Sequence, residues 1–161
     1  MATSTVQFVF TDGSTFDMDA ELVKSIKTIS DMASDLDGIS CPIPLPDRIE
    51  PSVLPLVKVM PYIVSYAKQY PEEPEDVKYY VLDDWSTEFF KPLDYPTISS
   101  IMIGANFLAM TGLVERCAVK ISQMMQGKTI EQLKQVFCMK RDFTEEELEE
   151  FRSEEWNFPT A

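Results

Sequence analysis

Apolar and polar residues alternate at the start of the chain, where Val6, Phe8 and Phe10 fall on one face of an extended segment. Asp12-Gly13 supplies a turn, and Phe16 and Met18 resume the alternation, so the pattern predicts a β-hairpin. The period then changes. Leu22, Val23, Ile26, Ile29 and Ala33 recur at helical spacing, with Asp19 placed to cap the helix. The stretch SDLDGISCPIPLPD reads as loop with a short extended piece around Ile43 to Leu45. Its prolines cannot serve as ladder donors, which confines that piece to a sheet edge. Residues 51–70 are apolar and helical in pattern, yet Pro51, Pro55 and Pro61 interrupt them. An interior proline costs about 3 kcal/mol, so the main helix is expected to begin near Pro61 and to bury Ile63, Val64 and Ala67. Residues 72–84, EEPEDVKYYVLDD, are acidic enough to predict a solvated, mobile loop.

Helical patterns dominate the second half. A short helix is expected over WSTEFFK, a second from Pro96 to Ala109, and a third from Leu113 to Met125 that stops near Gly127. Thr129 and Gln132 have capping-box spacing, and Thr144 and Glu147 repeat it ahead of a helix over 145–155. The second of these helices is unusual. Residues 95–114 carry no charge, but Pro96, Thr97, Ser99, Ser100, Asn106 and Thr111 argue against a membrane span and for a soluble helix. Ile98, Ile101, Met102, Ala105 and Leu108 form one core-facing stripe; Ile103, Phe107 and Met110 form another. A helix apolar on two faces is either buried on both or covered on one by a partner. In the acidic tail, Phe143, Leu148, Phe151 and Trp156 are set among carboxylates. Large apolar anchors in a charged surround suit either docking on the chain's own helices or an interaction surface.

Composition narrows the chemistry. The chain has 161 residues, 45% hydrophobic, enough for a core and compatible with one domain plus an appendage. Its net charge of -13 disfavours phosphate backbones, so no nucleic-acid partner is expected. There is no histidine, which removes Ser-His-Asp and Cys-His catalysis and His-ligated zinc. No Walker-type run or GxGxxG occurs. Asp35-Leu36-Asp37-Gly38 lacks the further ligands of an EF-hand loop. Runs such as Asp83-Asp84 and Glu145-Glu146-Glu147 read as solvated charge. Catalytic residues, metal sites and cofactors are therefore not expected. Cys41, Cys117 and Cys138 lack CxxC spacing and read as reduced thiols of a cytoplasmic or nuclear protein. The N-terminus has neither the basic region nor the apolar run of a signal peptide.

Several segments together carry a resemblance: FTDGSTFDMD, TISDM, PIPLPD, ANFLAMTGLVERC, and the long closing run QMMQGKTIEQLKQVFCMKRDFTEEELEEFRSEEW. Over nearly the whole chain these are similar to the S-phase-kinase-associated adaptor family, which joins F-box proteins to a cullin in SCF ubiquitin ligases. The resemblance implies an α+β fold of BTB/POZ type, helices around a small sheet, extended by C-terminal F-box-binding helices. It implies a BTB/POZ-like domain over 1–126, with the acidic loop 72–84, and a helical extension over 127–161. It implies that Asn106 and Phe107 face a cullin. It further implies that Val114, Ala118, Ile121, Met125, Val136, Phe137, Met139, Phe143, Phe151 and Trp156 line or approach an F-box surface. The implied role is a non-catalytic adaptor, cytoplasmic and nuclear. An elongin-like or homo-oligomerising scaffold is the alternative. Phe107 stands where the family has tyrosine, and Ala109 and Thr111 replace larger or charged residues, as in a divergent paralogue.

Overall fold

The computed structural model describes residues 5–35, 42–72, 81–139, 142 and 144–153. The hairpin forms as its alternation requires. Strand β1 (Thr5–Phe10) pairs antiparallel with β2 (Thr15–Asp19), with Val6 opposite Met18 and Phe8 opposite Phe16. Gly13 takes φ +84 in the turn, and Asp12 accepts from both the Ser14 N–H and its hydroxyl. Strand β3 (Ile43–Leu45) adds parallel to β1, giving the order β2-β1-β3. It is the edge strand that its prolines demand, and its alternation puts Ile43 and Leu45 inside and Pro44 outside.

Asp19 caps α1 (Ala20–Ser25) by accepting from the Glu21 N–H. The single helical period read through this region covers two helices, α1 and α2 (Lys27–Asp35), broken at an extended Ile26. Both Ile26 and Ile29 are fully buried, so the break preserves the apolar stripe that made it invisible.

Helix α3 (Leu56–Gln69) begins five residues before Pro61, contrary to the expected start. Leu56, Val59, Met60, Ile63, Tyr66 and Ala67 are buried along one face, whereas Pro61 is exposed and Val64 only half-buried. A proline on the outer face sacrifices one helix bond, and burial of the inner face outweighs that loss. Asp83 does not lie in a solvated loop: its carboxylate caps α4 (Asp84–Phe90) by accepting from the Ser86 N–H at 2.7 Å. Residues 73–80 of the expected acidic loop lie outside the described residues.

The uncharged helix is α5 (Tyr95–Phe107), capped by Asp94. It turns into α6 (Thr111–Met125), so that these two helices and α3 pack together around the sheet-side core. Gly104 allows the close approach of α3: a Cβ there would lie 3.1 Å from Val59 Cγ1. Leu54 N–H donates to Ser100 Oγ, which itself donates to the Pro96 carbonyl, so the one buried serine of α5 is satisfied. The resulting mixture of helices around a small sheet is of the α+β, BTB/POZ-like kind.

The chain divides into two compact units, Met1–Gly127 and Lys128–Ala161. The second contains α7 (Ile130–Val136) and α8 (Glu145–Ser153). Both predicted caps form. Thr129 and Gln132 make a reciprocal capping box, and Thr144 and Glu147 do the same. Lys134 pairs with Asp142 at 2.6 Å.

Candidate functional site: a groove beside helix α5

Of the first stripe of α5, Ile98, Ile101, Ala105 and Leu108 are fully buried. Met102 is not; it is half-buried and turns toward the second stripe. There, Ile103 and Phe107 are half-buried, and Met110 closes into the core. The helix is thus buried on one face and only partly covered on the other.

The partly covered face borders a cavity of about 330 Å³ lined by Met102, Ile103, Asn106, Phe107, Val114 and the loop residues Ile49 and Glu50. A second hollow of about 70 Å³ shares Asn106 and Val114 and reaches Ala109, Met110 and Thr111 at the α5–α6 turn. The turn is a Schellman motif. Met110 N–H donates to the Ala105 carbonyl and Ala109 N–H to that of Asn106, with Ala109 at φ +58. This geometry ends α5 immediately after the Asn106-Phe107 pair. Neither the Asn106 amide nor the Glu50 carboxylate has a hydrogen-bond partner among the described residues. The groove therefore offers apolar side chains and two open polar groups. Its polar groups are one carboxylate and one amide, set at the edge of an apolar wall. Among the described residues no group of acids and cysteines is placed to bind a metal, and no helix is long and apolar enough to cross a membrane.

Asn106 and Phe107, assigned to a cullin by resemblance, are brought together here. Val114, assigned to the F-box set, lies in the same groove. Farther along α6, Ala118 and Met125 are exposed and Ile121 is half-buried. In the second unit Val136 and Phe137 are half-buried and Met139 is 44% exposed. Ile130, absent from the sequence-derived set, is 68% exposed. Phe143 and Trp156, and the side chain of Phe151, lie outside the described residues.

Two features escaped the sequence. Ile49 and Glu50 come from an irregular loop whose position no periodicity reveals. The other is a clasp around Arg116, only 6% exposed in the buried face of α6. Its guanidinium donates to Ser86 Oγ at 3.1 Å, Tyr66 Oη at 3.3 Å and the Gly112 carbonyl at 3.2 Å. It pairs with Asp83 at 3.4 Å and lies 4.3 Å from the Tyr70 ring centre. The Tyr70 hydroxyl donates to the same Asp83 carboxylate at 2.5 Å. Partial burial pushes the Asp83 carboxyl up, but hydrogen bonds from Tyr70 and Ser86 and the charge of Arg116 outweigh this and hold it at about 2. Beside Arg116, burial alone raises the Cys117 thiol to about 12, so it packs as an inert apolar group. A cation among Leu113, Gly112 and Cys117 on the inner face of α6 was the available signal for the clasp.

Comparison with known proteins follows the same lines. Residues 111–157 match the Skp1 family, dimerisation domain. SKP1-like protein 4 of Arabidopsis thaliana is 32% identical over 154 residues, 91% of each chain. SCF ubiquitin ligase complex protein SKP1b of Dictyostelium discoideum is 32% identical over 161 residues, covering 95% of both. SKP1-like protein 14 of Arabidopsis thaliana is 27% identical, over 98% of this chain and 99% of its own length.

Proposed function

This chain belongs to the Skp1 family, and from that premise we propose that it is the adaptor that joins an F-box substrate receptor to a cullin in an SCF-type E3 ubiquitin ligase. The observation that carries this reading is the open face of α5. A helix without a single charge leaves Met102, Ile103 and Phe107 beside an open cavity and an Asn106 side-chain amide with no hydrogen-bond partner among the described residues. Apolar surface with a few open polar groups is the make-up of a protein-docking site. The cullin is assigned to this groove. The F-box is assigned to Val114, Ala118, Ile121 and Met125 on α6, of which Val114 also borders the groove, and to Val136, Phe137 and Met139, with Phe143, Phe151 and Trp156 beyond them. The contribution to ubiquitylation is geometric, setting the receptor at a fixed position, and no residue acts as a catalyst. The adaptor works in the cytoplasm and nucleus, without a nucleic-acid or membrane partner. A homo-oligomerising or elongin-like scaffold is less favoured, because the likeness to SKP1 proteins runs through the C-terminal segment as well.

Calorimetric titration of the full chain against panels of F-box segments and cullin N-terminal domains tests the reading. Asn106→Asp with Phe107→Ala is expected to weaken cullin binding by about 30-fold, the effect of losing roughly 2 kcal/mol at a hot spot. F-box affinity should stay unchanged. Undiminished cullin binding by a folded double variant, or no F-box binding by the intact chain, overturns it.

A further inference from the structure

Among the described residues lining the groove, Glu50 alone is charged. It stands on the irregular segment between β3 and α3, and that segment is pinned at several points. Thr11 Oγ1 donates to Asp47 at 2.6 Å, Leu56 N–H to the Asp47 carbonyl at 2.6 Å, and Leu54 N–H to Ser100 on α5 at 3.1 Å. The Glu50 carbonyl itself accepts from the Val53 N–H. The neighbouring cation does not neutralise the Glu50 carboxylate. Arg48 turns its guanidinium to the carbonyls of Val53 at 3.1 Å and Pro51 at 3.5 Å. Glu50 has no ion-pair partner among the described residues.

A partner that fills the apolar cavity also strips water from its rim. A carboxylate desolvated without a counter-charge opposes binding, whereas one met by a cation favours it and raises the association rate. Glu50 is well suited to impose that choice, because its backbone is fixed before the partner arrives. We propose that Glu50 is the specificity-determining residue of this groove, admitting a segment that carries a lysine or arginine beside its apolar anchor and rejecting one that presents a neutral or acidic residue there. The proposal rests on the assignment of the groove to a cullin and adds the charge that the bound segment must carry. Arginine suits the position better than lysine where the approach allows two parallel hydrogen bonds.

The test uses the full-length chain and a cullin N-terminal domain that binds it, titrated at low and at high salt. Glu50→Gln should weaken binding about fivefold at low salt and flatten its salt dependence. Glu50→Lys should weaken it by about 30-fold or more, and Glu50→Asp should retain most of the salt dependence. F-box affinity serves as the control and should not change in any variant. Glu50 is exposed, so none of these substitutions disturbs the core. Wild-type affinity in Glu50→Lys overturns the proposal. If Phe107→Ala abolishes binding while the Glu50 variants do not, the groove remains the cullin site and charge selection fails. If none of the variants matters, the groove is not the docking site and both fail.

Discussion

Ala109 occupies a conformation that glycine would take more easily. Its φ of +58 belongs to the left-handed region, where a Cβ costs about 1–2 kcal/mol. Cys138, at φ +53, holds the same place at the end of α7, with Met139 N–H donating to the Lys134 carbonyl. Ala109→Gly should therefore raise stability by about 1 kcal/mol, less whatever glycine adds to the unfolded chain's entropy. Urea denaturation would show it as a higher midpoint with an unchanged slope. Asp83 has the opposite character, since its environment already suits its charged form. Its folded-state value of about 2 lies below the ordinary 3.8, so folding favours the deprotonated carboxylate. The associated stabilisation is complete above about pH 4 and is lost as pH falls toward 2. Asp83→Asn should flatten the acid limb of the stability curve between pH 4 and 2, and an unaltered limb would locate the acid sensitivity elsewhere. Arg116 passed unnoticed in the sequence, although a cation between Leu113 and Cys117 on an apolar stripe was a signal. Its partners were not legible, because Ser86, Asp83 and Tyr66 stand 30, 33 and 50 residues earlier in the chain.

Periodicity revealed those elements whose structure is local. The hairpin and the helices α4 to α8 follow from alternation, helical spacing and caps, because each of these signals acts within a few residues. Where tertiary packing competes with local preference, the sequence misled. Pro61 reads as a helix start, yet α3 runs through it because Val59, Met60 and Ile63 on either side are buried almost completely. The break at Ile26 was hidden for the converse reason: it leaves the buried spacing undisturbed. The groove was half legible. Two stripes on α5 exposed the open face, but the wall contributed by Ile49 and Glu50 depends on a loop with no period. The packing of α5 on α3 supplies a direct test. Gly104 faces Val59, Leu56 and Ile63, with room for little more than hydrogen. Gly104→Val should cost about 1–3 kcal/mol through overpacking. It should weaken cullin binding as well, since displacing α5 moves Asn106 and Phe107 with it. Thermal melting and calorimetry on one sample separate the two effects. Intact melting in the variant would mean that α3 yields without strain.

The division of labour along the chain can be tested by cutting it. Among the described residues, the buried apolar core falls between Val6 and Cys117, within the first unit. Among the described residues of the second unit, α7 has no buried residue, and Ile130 remains largely exposed. An isolated helix of this length is marginal in water, and a capping box with an i,i+3 complement of charges does not replace an apolar face. What α7 lacks is apolar surface to cover Ile130, Val136, Phe137 and Met139, and an F-box segment would provide it. Two results should follow. A chain ending at Gly127 should melt at nearly the temperature of the full chain and bind the cullin N-terminal domain as well, while its affinity for F-box segments falls below detection. In the full chain, amide exchange across 130–136 should be fast when free and slow by orders of magnitude with an F-box segment bound, as expected when binding supplies the contacts that hold a helix. Amides of α3 and α5 should be protected equally in both states and so serve as the internal reference. If α7 is strongly protected in the free chain, the second unit is already held by its own contacts. The F-box would then dock on a finished surface, and the truncated chain would lose stability as well as binding.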